Sequence, residues 1–143
     1  MPDQRRFLLR TGAALLLVSA LFGVFTGIPL PNPGRWQVAH ISAIMLGTLV
    51  TVQGLLWREL RLSATQLTWM VRFTMMYAWF GILLGVASGL MDIPGPASNP
   101  GSRPEGVEAA VQVVGLLLSV PTAIAAWVLL FIGLGGKEPA RTA

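Results

Sequence analysis

The sequence contains no cysteine, a single histidine and a single tyrosine, and only 11% of its 143 residues are charged. Without cysteine there are no disulfides, thiolate metal sites, iron–sulfur clusters, covalent c-type haem links or cysteine nucleophiles. One histidine, His40, excludes a zinc site built from several imidazoles. Metal chemistry must therefore use oxygen ligands or this one ring. No P-loop, Ser/His/Asp set or pair of inward-facing carboxylates is present. Soluble domains carry about 25% charged residues, so a chain with this little charge and 54% hydrophobic residues is not a water-soluble globule.

The sixteen charged residues leave four uncharged windows: Thr11 to Gly34 (24 residues), Trp36 to Trp57 (22), Phe73 to Met91 (19) and Ala109 to Gly136 (28). A hydrocarbon core about 30 Å thick takes about 20 helical residues, so each window is long enough to cross it. The expected fold is all-α, an integral membrane four-helix bundle forming a single transmembrane domain over residues 1–143. The first stretch has no convincing small-residue cleavage site and outruns a signal-peptide core, so it counts as a span. Arg5, Arg6, Arg10, Arg58, Arg61, Arg72, Lys137 and Arg141 fall at one end of this arrangement, and Arg35 and Arg103 at the other. By the positive-inside rule both termini are expected in the cytoplasm, and the membrane is expected to be a bacterial inner (cell) membrane. Membrane orientation accounts for the sequence pI of about 11.2, so nucleic acid is not needed as a partner.

The spans are expected at about 7–28, 36–57, 69–90 and 107–134. Pro29, Pro31 and Pro33 end the first helix, because proline lacks an amide donor. Trp36 and Trp57 suit the two membrane interfaces, and Arg72 can snorkel toward head groups. Met91 to Gly106, rich in proline and glycine, reads as an irregular loop. Pro121 should kink the fourth helix.

Small residues recur at helical spacing: Ser19, Gly23 and Gly27; Gly47, Thr51 and Gly54; Gly81, Gly85 and Gly89; Gly115, Ser119 and Ala123. Such stripes let helices approach closely in lipid, and one of them can instead leave room for a subunit contact or a flat cofactor. His40 shares a helix face with Ala43, Ile44, Gly47 and Thr51. A haem lying along that face, with the imidazole on its iron, would suit this spacing; an interfacial or hydrogen-bonded histidine is the alternative. Glu108, Gln112, Gly115 and Ser119 form a second stripe. Its upper half is at the depth of His40, as are Ser88, Asp92, Thr26 and Asn32, and these groups are candidates to line a polar pocket. Tyr77 and Gln53 read as packing or helix-to-helix hydrogen-bonding residues.

The segment Asn32-Pro33-Gly34-Arg35-Trp36-Gln37-Val38-Ala39-His40, followed by Gly47, resembles the small four-helix membrane isomerases that include hydroxylaminobenzene mutase and styrene oxide isomerase. The likeness extends through Leu55 to Ser63, the Tyr77-containing third helix and the loop leading to Glu108. The resemblance implies a non-covalent haem b, often held between subunits of a homo-oligomer, with His40 as axial ligand. It also implies an iron that acts as a Lewis acid on an epoxide or N–O oxygen. The chain departs from that pattern where the family commonly has polar groups, at Leu46, Ile82 and Val86; these side chains cannot hydrogen-bond a substrate oxygen.

The function expected is thus a haem-b-dependent membrane isomerase rearranging a small hydrophobic aromatic arylhydroxylamine or epoxide. His40 is expected to be the iron ligand, Ala43, Gly47 and Thr51 to line the cofactor, and Gln112 and Ser88 to take the polar catalytic duties. A homo-oligomer is expected to form through the glycine-rich helix faces. The alternatives are a non-enzymatic membrane haem protein, acting as sensor or electron carrier, and a cofactor-free scaffold subunit.

Overall fold

The computed structural model of the chain describes residues 2–28, 33–91 and 106–135. These form four helices, α1 (Pro2–Thr26), α2 (Pro33–Leu56), α3 (Ala64–Met91) and α4 (Val107–Gly135), with no strand among the described residues. Each contains a stretch long and apolar enough to cross a membrane.

The helices start earlier than hydrophobicity alone suggests. Helices α1 and α2 open on Pro2 and Pro33 rather than Phe7 and Trp36, because proline at a first helical position loses no bond and has the right φ. Helix α3 opens at Ala64 rather than Trp69 through a capping box: Gln66 Oε1 accepts from Ser63 N at 2.9 Å, and Gln66 N donates to Ser63 Oγ at 3.3 Å. Gly106, with a φ of 62°, turns the chain into α4, and its carbonyl accepts from Ala110 N. Helix α4 runs continuously through Pro121. Close by, the hydroxyls of Ser119 and Thr122 donate to the carbonyls of Gly115 and Leu118, as Ser and Thr do around prolines in apolar surroundings.

Packing follows chain order: α1 on α2, α2 on α3, α3 on α4. At the end carrying the basic residues, Arg61 N donates to Gly133 O at 2.9 Å and ties the α2–α3 turn to α4. The burial pattern differs from a soluble protein's in its exterior. Gln53, Thr74 and Ser19 are buried, whereas Phe131 is 80% exposed and Leu17, Val24, Val38 and Leu117 line the outside. Lipid tolerates such an exterior and water does not.

Most small-residue stripes turn out to be filled within the chain. A Cβ on Gly47 would lie 3.0 Å from Leu16 N and 3.1 Å from Gly12 O; one on Gly81 would lie 2.9 Å from Leu46, and one on Gly115 3.0 Å from Leu84. A Cβ on Gly85 would meet Ala39 at 3.3 Å. These glycines therefore serve contacts between neighbouring helices of one chain. Trp36 is buried, packed on Phe22 and Phe25 with ring centroids 5.8 and 5.4 Å away. Trp57 is buried as well. Trp69 and Trp79 are the exposed indoles, and the Arg72 guanidinium lies 5.0 Å over the Trp69 ring.

Candidate functional site

His40 lies in the second turn of α2, at the margin of the helix face that packs on α1. Its i−4 and i+3 neighbours, Trp36 and Ala43, are buried, and its i+4 neighbour Ile44 is exposed. The ring is therefore half-buried.

Helix α1 cradles it. His40 Nδ1 is 2.7 Å from the Ser19 carbonyl oxygen and 3.3 Å from Ser19 Oγ. A carbonyl can only accept, so Nδ1 carries the proton and donates it, which leaves the lone pair of the neutral imidazole on Nε2. Gly23, one turn on from Ser19, makes the approach possible. A Cβ there would come within 3.1 Å of His40 Cε1 and 3.3 Å of Nδ1. The Trp36, Phe22 and Phe25 cluster covers the site toward the proline-rich end. An imidazole held through one nitrogen by a backbone carbonyl and offering the other is the usual arrangement of a metal-ligating histidine. Among the described residues there is no cluster of three or more His, Cys, Asp or Glu able to hold a bare metal ion. A single imidazole fits instead a metal whose remaining ligands come with it, as in haem.

The other expected cofactor residues are not open to a ligand in the isolated chain. Ala43 is fully buried, Gly47 faces Leu16 and Gly12, and Thr51 Oγ1 donates to Gly47 O at 2.8 Å while pressing against Gly12. The space expected beside the ring along α2 is occupied by α1, so these three residues form a helix seam. On the outward side of the ring, Ile41 and Ile44 are exposed.

Among the described residues, the groups expected to line a polar pocket do not gather at the ring. Gln112 is buried on the same face of α4 as Gly115, the face that meets α3, whereas His40 faces α1. Thr26 Oγ1 donates back to Gly23 O in its own helix, at an exposed position. Ser88 lies on α3, but its side chain, like that of Glu108 and like Asn32 and Asp92, is outside the described residues. Leu46 and Ile82 are packed into the bundle, Leu46 over Gly81, and Val86 lines the same core. A separate groove of about 540 Å³ runs between α3 and α4, lined by Phe80, Leu83, Leu84, Ala87, Val111, Val114 and other apolar groups.

Two features escaped sequence reasoning. Ser19 and Gly23 stood out as packing residues, but nothing in a single sequence pairs them with His40. Gly12, which lets Thr51 and Gly47 close on α1, lies outside the stripe singled out on that helix; its position four residues before Leu16 and seven before Ser19 was the available signal.

No curated protein and no solved structure matches the chain. A family model described as styrene oxide isomerase matches residues 4–135, which takes in all of the site just described. With its four apolar helices and a match running nearly end to end, the chain belongs to the styrene oxide isomerase family.

Proposed function

We propose that the protein is a membrane isomerase that rearranges a small aromatic epoxide or arylhydroxylamine, with haem b held by His40 Nε2. The observation that carries this reading is the 2.7 Å bond from Nδ1 to the Ser19 carbonyl, which leaves Nε2 as the nitrogen able to bind a metal. Family membership supports isomerisation in general. When bound, haem would supply a Lewis-acidic iron to polarise the substrate oxygen.

The chain's own contributions are structural. Ser19 keeps the ring in one tautomer, Gly23 lets it sit close to α1, and Trp36 with Phe22 and Phe25 shields it. An isomerisation keeps every substrate atom, so no hydride carrier or second substrate is needed. Leu46, Ile82 and Val86 offer a substrate no hydrogen bond, so at those positions it would meet only shape and apolar contact. The α3–α4 groove is apolar and large enough for one aromatic ring with a short side chain.

This groove opens between α3 and α4, whereas His40 borders the outside of α1 and α2. The two come together most simply when the groove of one copy packs on the His40 face of the next, in a closed ring of copies. Its mass in lipid nanodiscs should then be a multiple of the single chain's.

Purification from cells supplied with ample haem tests the cofactor: a Soret band is expected and should be lost or shifted in His40→Ala. A protein without that band overturns the haem reading. Styrene oxide should then yield the aldehyde, or phenylhydroxylamine the aminophenol. A haem protein that converts neither fits the sensor or electron-carrier alternative, which the apolar residues at 46, 82 and 86 favour.

A further inference from the structure

Toward the basic end of the α2–α3 seam, a second group of polar side chains is buried that no step above uses. Gln53 and Thr74 are fully buried and Tyr77 is 3% exposed. Thr74 Oγ1 donates to Gln53 Oε1 at 2.7 Å. Tyr77 Oη lies beside the Gln53 amide, but no bond of ordinary geometry joins them. Among the described residues, Gln53 Nε2 and Tyr77 Oη are both buried without a hydrogen-bond partner.

In lipid this is costly. An amide or hydroxyl removed from water without a compensating bond is destabilised, and hydrocarbon provides no replacement. The unmet groups are an N–H₂ and a phenolic O–H. What complements two donors is an acceptor. Donation from Thr74 to the Gln53 oxygen polarises the amide, so its N–H₂ becomes a stronger donor. The residues one turn away on α2 and α3, among them buried Val50, Met70 and Ala78, carry no charge, which favours a neutral acceptor.

We propose that Gln53 Nε2 and Tyr77 Oη together bind one neutral oxygen acceptor, either a water molecule or the oxygen of a small carbonyl or ether compound. Thirteen residues of helix, about 20 Å, separate this node from His40 along α2, so it stands whether or not His40 carries haem.

The chain's only tyrosine makes the test direct, since the tyrosine doublet in an ultraviolet resonance Raman spectrum then reports Tyr77 alone. In lipid nanodiscs, the wild-type doublet should be that of a donating hydroxyl. The donor signature should persist, though weaker, in Gln53→Leu. A wild-type doublet of a hydroxyl free of hydrogen bonds overturns the proposal. So does loss of the donor signature in Gln53→Leu, because the phenol then donates to Gln53 itself. Adding cyclohexanone labelled with ¹³C at its carbonyl separates the two sources. A carbonyl stretch lowered in the wild type and not in Tyr77→Phe identifies an organic oxygen; an unshifted stretch beside a donating doublet identifies water. Should Gln53→Leu not fold, a map of the wild-type protein decides: density within about 3.2 Å of both atoms supports the node, and Tyr77 Oη closed onto Gln53 Oε1 overturns it.

Discussion

Replacing Gly23 tests how α1 holds the His40 ring, because the effect can be worked out atom by atom. In Gly23→Ala the new methyl would lie 3.1 Å from His40 Cε1 and 3.3 Å from Nδ1. Ordinary carbon contacts lie at about 3.5–4.0 Å, so the ring must retreat by about half an ångström. Retreat directly away from α1 stretches the 2.7 Å bond to the Ser19 carbonyl toward about 3.2 Å, the outer limit for such a bond. A hydrogen bond of this kind contributes about 0.5–1.5 kcal/mol, so weakening it should reduce haem affinity by up to about tenfold. The branched side chain of Gly23→Val leaves no position in which the bond survives, and losses of that outer contact weaken metal binding by about 10–100-fold. Two controls bracket the effect. Ser19→Ala removes the hydroxyl 3.3 Å away but keeps the carbonyl and should bind haem nearly as well as wild type. Gly27→Ala, whose methyl meets only Val24 O at 3.5 Å, should be silent. The assay is titration of apo-protein with haem, following the Soret band, alongside helix content by circular dichroism. Unchanged affinity and band position in a natively helical Gly23→Val would refute the placement of the ring against α1.

Other perturbations test the scaffold. Gly12→Ala and Gly47→Ala each place a methyl against backbone atoms of the facing helix, at 2.9–3.1 Å, and backbone cannot step aside as a side chain can. Each should destabilise by about 1–3 kcal/mol in thermal or denaturant unfolding. Gly34→Ala, with nothing within 4 Å, should leave the melting temperature unchanged. Thr74→Val strands the Gln53 amide oxygen and should cost about 1 kcal/mol; adding Gln53→Leu should recover part of that loss in a double-mutant cycle. Ser63→Ala removes half of the capping box and should lower stability by about 0.5–2 kcal/mol, seen as fraying at the start of α3 by hydrogen exchange.

Much of this could be read from single residues in order. Uncharged windows, proline-rich breaks and a basic end follow directly from the cost of placing charge in hydrocarbon, and they specify four spanning helices. The capping box at Ser63 and Gln66 was equally legible, and it explains why α3 begins before its hydrophobic stretch. The peptide around His40 carried the family likeness that the whole-chain match then established.

What the sequence by itself determined, then, is the number of helices, their approximate limits, the family, and His40 as the one imidazole available. Tertiary structure decided which neighbour each face meets. In water a hydrophobic stripe identifies the side turned inward, but in lipid an apolar side chain is at home on either side, so only small and polar residues carry that information, and they do not name their partner. Contact between α1 and α2 turned Gly47 and Thr51 from a cofactor face into a seam and moved the open side of His40 to the exterior. The same packing of α2 on α3 brought together Gln53 and Tyr77, which sequence alone leaves as two unrelated polar residues. Each outcome depends on distances between residues far apart in the chain, which no periodicity within a single helix encodes.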